Sequence, residues 1–381
     1  MTISGTRYPI AAVRERVRCH NGPVLDFVLG KHREAAPAEL VKLMRTADPS
    51  LLVTSCGPDE VRAFSEAASA MLCREYGVDL APDSILPVPG GRTAMSFLAA
   101  TLIRPTDSVI VFDPAYPAFT RVAQQLGAQV HLVPLDPDRQ LAPDLEALSS
   151  DGASTACFAA LNYPNNPTGA IVAGEHLGDF FDLLRPQAVV FNDATYGPLT
   201  FNRPPWTLLA QPEAQRHGHR LVELHSLAKL FSLGPVGVSF LAGDREIIYE
   251  LRDFSEYAWS DQIRLHFEIA MHCLGNSDHL ATMREVFKRR MRRLDATLQG
   301  VGFATLPAQS GMYVVTRVPP TIEGRSVSGA GAVAEILLNE HHLAVVPWEV
   351  EPHEYLRFSC QYSEEDLQGL AALGRDGRLF G

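Results

Sequence analysis

The sequence predicts an α/β fold in which a mainly parallel mixed sheet is flanked by helices, with a smaller α+β domain attached. Short apolar runs rich in β-branched residues alternate with longer helical patterns through the middle of the chain. Beyond about residue 246 this alternation gives way to long helices and a few late strands. With 381 residues, 46% of them hydrophobic, the chain can bury a large core without disulfides or a structural metal.

The strands of the large sheet are predicted from six short apolar runs: 108–112, 129–133, 155–161, 188–191, 220–224 and 238–242. Helical spacing of apolar residues predicts intervening helices at 93–102, 118–126, 144–148 and 175–184. Parallel strands that alternate with helices place functional groups in the loops beyond the strand ends. We therefore expect the site in those loops.

The last third of the chain has a different pattern. It contains an arginine-rich helix at 283–298, a Gly/Pro-rich passage at 300–311, a strand at 312–318, a helix near 331–340 and a strand-rich segment at 343–360. We predict a large cofactor-binding domain at 46–275. Residues 1–45 and 276–381 are predicted to form the small domain together.

Composition excludes several classes of protein. Lysine and arginine number 33 against 44 acidic residues, a net charge of −11, with no long basic block, so we expect no nucleic-acid partner. No stretch of about 18 apolar residues and no apolar signal core occurs, which predicts a cytoplasmic protein without a membrane partner. The six cysteines are scattered, and no histidine spacing suggests ligands, so we expect no metal.

A glycine-rich loop precedes the helix predicted at 93–102. Gly90 and Gly91 let the backbone approach a ligand, and the helix N-terminus that follows offers unpaired N–H groups that suit a phosphate. Arg92 comes next. On its own, Gly-Gly before a helix is more often a plain turn.

Two further loops carry amide, carboxylate and phenol groups. The first, residues 161–169, contains Asn162 and Asn166, and two prolines and a glycine fix its conformation. The second places Asp193 at the end of a hydrophobic strand, with Tyr196 three residues later. A carboxylate is costly to bury there unless it meets a cation or a proton donor.

Lys229 is one of only four lysines in the chain. It follows Ser226 in a Ser-x-x-Lys pattern within an apolar neighbourhood, and no acidic residue lies within four positions on either side. Desolvation lowers a lysine pKa and makes the amine a usable nucleophile for a carbonyl. The alternative is a lysine whose ammonium group reaches solvent.

In order along the chain, these four loops resemble the class I/II aminotransferase family, the fold-type I enzymes that depend on pyridoxal 5′-phosphate. The resemblance extends from about residue 25 to residue 360. Its most specific parts are the Asn-Asn-Pro-Thr-Gly run at 165–169 and the Ser-x-x-Lys motif that ends at Lys229.

The resemblance implies roles for individual residues. Lys229 would form the imine with the cofactor and move the proton of the substrate α-carbon, Asp193 would pair with the pyridine nitrogen, and Tyr196 would contact the phenolic oxygen of the ring. The other implied cofactor contacts are Gly90, Gly91, Arg92, Tyr116, Asn166 and Ser226. Arg357 would bind the substrate α-carboxylate, with Gly30 lining the same place.

Two positions depart from the family pattern. The arginine expected eight residues after the lysine is replaced by Gly237, and we propose that Arg92 compensates for it at the phosphate. Leu52 stands where many members have a tyrosine that reaches the neighbouring subunit. The strand around Trp348 is also unusual, because small residues are common there.

The predicted function is therefore amino transfer between an α-amino acid and a 2-oxo acid, in a protein expected to form a homodimer. The alternative is a lyase or replacement enzyme of the same fold, acting by β- or γ-elimination, decarboxylation or oxidative deamination in specialised metabolism. A third reading is a non-catalytic regulator. Retention of Lys229, Asp193 and Arg357 together argues against it.

Overall fold

The computed structural model describes residues 9–28, 34–148, 155–216, 218–234, 236–258, 263–350, 353–375 and 379. Its main feature is an eight-stranded sheet with the spatial order β2-β9-β8-β7-β6-β3-β4-β5. The strands are β2 (Ile85–Val88), β3 (Ser108–Asp113), β4 (Gln129–Asp136), β5 (Ala142–Pro143), β6 (Phe158–Leu161), β7 (Val189–Asp193), β8 (Arg220–Ser226) and β9 (Ser239–Gly243). The five strands from β8 to β4 are parallel, whereas β2, β9 and β5 pair in antiparallel fashion. The predicted α/β fold with a mainly parallel mixed sheet is confirmed.

Side chains alternate between the two faces of this sheet. Val109 and Val111 of β3 join one buried cluster, while Ile110 and Phe112 join another. The two-residue period of a strand sends neighbours to opposite faces, and near-continuous apolar runs are typical of parallel strands buried on both sides. The helices listed next cover both faces, so the sheet is the middle layer of the structure.

The α-helices of the described residues include α1 (Pro9–Cys19), α2 (Ala38–Thr46), α3 (Pro58–Tyr76), α4 (Gly91–Leu102), α5 (Ala118–Gln125), α6 (Gly174–Leu183), α7 (Pro212–Arg216), α8 (Arg245–Ala258), α9 (Arg264–Leu274), α10 (Ser277–Val301), α11 (Ala330–His341) and α12 (Glu364–Arg375). Apolar residues of α4, α5 and α8 cover one sheet face. Residues of α3 and α6 cover the other. None of the helices among the described residues is long and apolar enough to cross a membrane.

Two sequence predictions of secondary structure need correction. The segment 144–148 is not an α-helix but a single 3-10 turn, Leu145–Ala147. The Asp144 side chain accepts hydrogen bonds from the backbone N–H groups of Glu146 and Ala147, which closes a short turn, and the chain is extended again at Leu148. The strand predicted at 155–161 begins only at Phe158. Strand β2 was not predicted.

The later part of the chain forms a second, three-stranded antiparallel sheet. It consists of β10 (Tyr313–Arg317), β14 (Val346–Val350) and β15 (His353–Ser359), with β15 in the centre. Two separate short strand pairs belong to the same part of the chain: β11 (Thr321–Ile322) with β12 (Arg325–Ser326), and β1 (Leu25–Asp26) in parallel with β13 (Leu343–Ala344). The N-terminal segment thus joins the C-terminal part of the chain. The domain boundaries at residues 45 and 275 stay a prediction.

Candidate active site

The site is assembled at the carboxyl edge of the parallel strands. Strands β3, β6, β7 and β8 end at Asp113, Leu161, Asp193 and Ser226, and their register places these ends at one edge of the sheet. The loops that follow carry most of the predicted site residues. This is where ligands bind in parallel α/β sheets.

The glycine loop packs backbone against backbone. Gly90, with φ +106°, is the N-cap of α4, and a Cβ atom on it would lie 3.3 Å from the Cα of Gly237. Gly237 has φ +68°, and a Cβ atom there would lie 3.0 Å from the carbonyl oxygen of Pro89. Both positions therefore favour glycine. The glycine at residue 237 has a physical reason, since any side chain there would combine a strained left-handed backbone with a tight contact to Pro89.

Asn162 ties three elements of the site together. Its Oδ1 accepts hydrogen bonds from the backbone N–H groups of Tyr116 at 3.2 Å and Asn166 at 3.1 Å, and its Nδ2 donates to the carbonyl of Asp193 at 3.0 Å. The sequence identified Asn162 only as the start of its loop. The structure shows that it holds the predicted aromatic, amide and carboxylate residues in one frame.

Asp193 is a buried carboxylate at the end of β7. Its Oδ1 accepts hydrogen bonds from the backbone N–H of Thr195 at 3.1 Å and from the Thr195 hydroxyl at 2.6 Å. Burial raises its pKa, whereas these bonds and the charges of His225 and Lys229 act in the opposite direction. Because both bonds from Thr195 end on Oδ1, Oδ2 is the atom suited to face a cationic ligand group.

Lys229 lies in the turn after β8, half-buried beside the buried side chains of Leu227, Leu230 and Phe231. The sequence around it contains no acidic residue, but the fold brings the carboxylate of Asp193 close enough for the lysine charge to lower the pKa of that carboxyl. Lys229 thus has an anionic group in its surroundings that its local sequence does not supply. The amine and the carboxylate share one site.

Tyr116 lies among charged groups. Burial raises the pKa of its phenol, while the charges of Arg92 and Arg357 lower it. Arg92 itself is exposed in the first turn of α4. Its guanidinium group is thus near the predicted stacking aromatic, at the helix N-terminus where an anion binds well.

Arg357 is the largest fully buried side chain, with 0% of its surface exposed. Its guanidinium carbon lies 4.1 Å from the ring centre of Tyr313 and 5.7 Å from that of Trp348. Its Nη atoms donate to Asn166 Oδ1 at 3.5 Å and to the carbonyl of Val28 at 3.3 Å, while Nε has no hydrogen-bond partner among the described residues. Within the same residues it forms no salt bridge with a carboxylate.

A second tyrosine supports this arginine and was missed by the sequence reasoning. The rings of Tyr313 and Tyr196 meet edge to face, with their centres 6.3 Å apart. Burial raises the pKa of Tyr196, and Tyr313 adds to that effect. Tyr313 therefore connects Arg357 with Tyr196. Its signal in the sequence was only an aromatic residue in a late strand.

The structure thus brings nearly all the predicted residues to one edge of the sheet. Gly30 lies outside the described residues, two positions after Val28, whose carbonyl contacts Arg357. The arrangement contains an amine beside a buried carboxylate, a glycine cradle at a helix N-terminus and a buried arginine without an acidic partner. These features fit pyridoxal phosphate, which carries a ring nitrogen, an aldehyde and a phosphate. An enzyme that binds this cofactor and an anionic substrate would need such a set of groups.

Comparison with known proteins identifies the family. The profile described as Aminotransferase class I and II matches residues 32–372, so the chain belongs to that family. The LL-diaminopimelate aminotransferase of Dehalococcoides mccartyi is 28% identical over 367 residues, 93% of this chain and 92% of that protein. The L-glutamine--4-(methylsulfanyl)-2-oxobutanoate aminotransferase of Bacillus subtilis is 28% identical over 357 residues, 91% and 87% of the two chains. The enzyme is an aminotransferase that acts on amino acids, and its family implies pyridoxal phosphate as cofactor.

Solved structures agree on the fold. Substrate-bound BacF of Bacillus subtilis superimposes with a TM-score of 0.86 at 22% identity, covering 100% of this chain and 97% of that one. The predicted fold-type I architecture is therefore confirmed.

Proposed function

We propose that this enzyme transfers the amino group of an α-amino acid to a 2-oxo acid, with Arg357 binding the α-carboxylate of both. The observation that carries the proposal is the burial of this guanidinium group without an acidic partner among the described residues. A buried charge is costly unless it is compensated, and the planar guanidinium fork suits a carboxylate. The transferase relatives support transfer over elimination, decarboxylation or oxidation.

The residues around the edge of the sheet would hold the cofactor. Asp193 would keep the ring nitrogen protonated, and the bound cofactor would then act as an electron sink. Tyr196 and Asn166 would donate to the ring oxygen, and Tyr116 would cover the ring face. The phosphate would lie against Gly90, Gly91, Arg92 and Ser226.

Lys229 would hold the cofactor and transfer the proton of the substrate α-carbon. Its charge acts on Asp193, so both groups would serve the same cofactor, which Lys229 would hold through its amine. The same amine would accept the proton of the substrate α-carbon and return it in the reverse direction. Arg357 would fix the α-carboxylate and thereby the bond that faces this amine.

The test is a half-reaction. Purified enzyme reconstituted with pyridoxal phosphate is mixed with single amino acids, and the absorption spectrum is followed with and without a 2-oxo acid. We expect one equivalent of oxo acid per site and a pyridoxamine spectrum, reversed by the 2-oxo acid. Release of free ammonia without an acceptor would instead establish elimination or oxidation. The Lys229→Ala variant should lose the lysine-dependent absorption band.

Arg92 is the proposed replacement for the arginine missing at residue 237. Arg92→Ala should weaken pyridoxal phosphate binding, since a phosphate contact by a charged donor contributes about 1.5–3 kcal/mol, or roughly 10- to 150-fold in affinity. Arg104→Ala is the matched control, because this arginine follows the C-terminal end of the same helix and is exposed. Full cofactor affinity in Arg92→Ala would refute the replacement.

We also propose a homodimer. Leu52 is 53% exposed and Val53 is 83% exposed, although both are large apolar residues. They lie in the segment where the family tyrosine would reach the neighbouring subunit. Ser substitution at both positions should shift the sedimentation coefficient towards the monomer, whereas Leu132→Ser, at an exposed leucine on β4, should not. A monomeric wild type would contradict the proposal. The cytoplasmic location stays a prediction.

A further inference from the structure

The arginine-rich helix α10 (Ser277–Val301) is a feature of the sequence to which the proposed function gives no role. Its apolar side chains are buried in the core, and on such an amphipathic helix the polar side chains ordinarily face solvent. Three of its polar side chains are instead only partly exposed and donate hydrogen bonds to backbone carbonyl groups far away in the sequence: those of His279, Arg284 and Arg290. Each accepting carbonyl lies one to three residues after a residue of the candidate site.

His279 holds the turn that carries Lys229. Its Nε2 donates to the carbonyl of Leu230, the residue after the lysine, at 3.0 Å, and because a carbonyl only accepts, Nε2 carries the proton. The imidazole also stacks on the ring of Phe231, with centroids 4.6 Å apart and an interplanar angle of 29°. Within the turn, the N–H groups of Leu230 and Phe231 both bond to the carbonyl of Leu227. The lysine turn is thus closed from within and tied to α10 from outside.

Arg284 holds the turn that follows Tyr196. This turn is a short 3-10 helix, Gly197–Leu199, and Tyr196 is its N-cap residue. Arg284 Nε donates to the carbonyl of Pro198, in the middle of the turn, at 2.8 Å. The backbone next to the phenol-bearing residue is therefore tied to the same helix as the lysine turn.

Arg290 holds the end of strand β15, which carries Arg357. Its Nε donates to the carbonyl of Cys360, the first residue after the strand, at 2.7 Å, and its Nη2 donates to the carbonyl of Tyr362. The guanidinium carbon also lies 4.5 Å from the ring centre of Tyr362. The planar fork thus fixes the chain at two carbonyl groups directly beyond the strand.

We propose that His279, Arg284 and Arg290 are positioning residues, through which α10 fixes the lysine, the tyrosine and the arginine of the site relative to one another. The rise of about 1.5 Å per residue separates His279 from Arg290 by about 16 Å along the helix axis. One helix thereby sets the distance between the turn that presents the Lys229 amine and the strand that presents the Arg357 guanidinium group. That these groups act in amino transfer rests on the proposed function, whereas the three contacts do not.

A purely structural role would give a different result from a positioning role. If these bonds only stabilised the fold, loss of any one of them would affect all parts of the site alike. If they position the site, each variant should have its own effect, confined to the residue that its bond supports. His279 and Arg290 offer the clearest comparison, because they hold residues with different tasks.

The first experiment uses the enzyme without cofactor and measures backbone hydrogen exchange by mass spectrometry. His279→Phe keeps a ring against Phe231 but removes the donor. Peptides covering 227–233 should then exchange about two- to tenfold faster, whereas those covering 357–361 should not change. Arg290→Met should give the opposite pattern.

Two further variants control this experiment. Arg289→Met is the matched control, because this neighbouring arginine of α10 is exposed, and it should alter neither segment. His279→Gln keeps an N–H donor on the side chain and should restore slow exchange at 227–233. Wild-type exchange of both segments in His279→Phe and Arg290→Met would overturn the inference, and so would equal acceleration of both segments in each variant.

The second experiment separates kcat from KM in the enzyme reconstituted with pyridoxal phosphate. His279→Phe should lower kcat about two- to tenfold with little change in the KM of the amino acid, because Lys229 would transfer the proton. Arg290→Met should raise that KM about two- to tenfold with a smaller effect on kcat, because Arg357 would bind the α-carboxylate. His279→Gln should recover the wild-type kcat.

The two hypotheses fail in different ways. Parallel changes of kcat and KM in both variants, in proportion to their loss of thermal stability, would refute the positioning role and leave amino transfer in place. Release of free ammonia by the wild type without a 2-oxo acid would refute the proposed function. The exchange pattern of the cofactor-free enzyme would still decide whether α10 holds the two segments separately.

Discussion

Replacing Gly237 with alanine should destabilise the enzyme, whereas replacing Gly234 with alanine should not. Gly237 has φ +68°, and an added Cβ atom would lie 3.0 Å from the Pro89 carbonyl oxygen and 3.3 Å from its carbon. Gly234 has nothing within 4 Å of an added Cβ atom. The two glycines flank the same short loop, so their comparison isolates the backbone conformation and the close approach.

The expected loss of stability in Gly237→Ala has two sources, the left-handed backbone conformation and the close contact with Pro89. A residue other than glycine in the left-handed region costs about 1–3 kcal/mol, and the contact with the backbone of Pro89 adds to this because a backbone atom cannot swing aside. Alanine at Gly234 should instead be neutral or stabilise by up to about 1 kcal/mol, because it restricts the unfolded chain. We therefore expect the two variants to differ by about 2–4 kcal/mol in the free energy of unfolding.

Urea unfolding followed by circular dichroism, with and without pyridoxal phosphate, measures this difference. Gly237→Arg, which restores the common family residue, should share the backbone cost and should not tighten cofactor binding. Equal stability of Gly237→Ala and Gly234→Ala would refute the reasoning. So would a Gly237→Arg variant that binds the cofactor more tightly than the wild type.

Three other predictions concern the same edge of the sheet. Gly169→Ala should destabilise by about 3 kcal/mol or more in urea unfolding, since φ is +69° and the Cβ atom would lie 2.5 Å from the carbonyl oxygen of Ser310. Burial raises the pKa of Asp113 from 3.8 to about 6, so its neutral form contributes stability that is complete below pH 3.8 and is lost as the pH rises through about 6. Asp113→Asn should therefore gain up to about 3 kcal/mol over the wild type above that pH and nothing in acid. Tyr313→Phe keeps the ring on the guanidinium group but removes the hydroxyl that raises the pKa of Tyr196, so kcat should fall about two- to tenfold with KM unchanged. A rise in KM alone would contradict that role.

Much of the fold could be predicted because buried parallel strands have a distinctive sequence pattern. Runs such as Val109–Phe112 are apolar at every position, which only a strand buried on both faces requires, and the structure has that strand as Ser108–Asp113. The edge strand β2 was missed since it is only four residues long, with a proline at Pro87. The segment at 144–148 was wrongly predicted to be an α-helix. Over only five residues, the sequence of a short turn capped by Asp144 has the same spacing of apolar residues as a helix.

The site was predictable as a set of residues but not as a set of contacts. Lys229, Asp193 and Arg357 stand in motifs whose residue types indicate chemistry. Asn162 and Tyr313 act through partners far away in the sequence, and no local pattern reveals which strand end faces which. Their roles required the register of the sheets.

The charges around Tyr116 show how the two ligands would be arranged. Arg92 and Arg357 both lower the pKa of its hydroxyl, so two guanidinium groups act on this phenol, one at the N-terminus of α4 and another buried in the second sheet. A single monoanion would leave one of these two positive charges uncompensated. A cofactor phosphate at the first and an amino-acid carboxylate at the second would compensate both at once. On the proposed arrangement, the glycine at residue 237 would leave the anion site in place, with Arg92 supplying the cation from the other side of the glycine cradle.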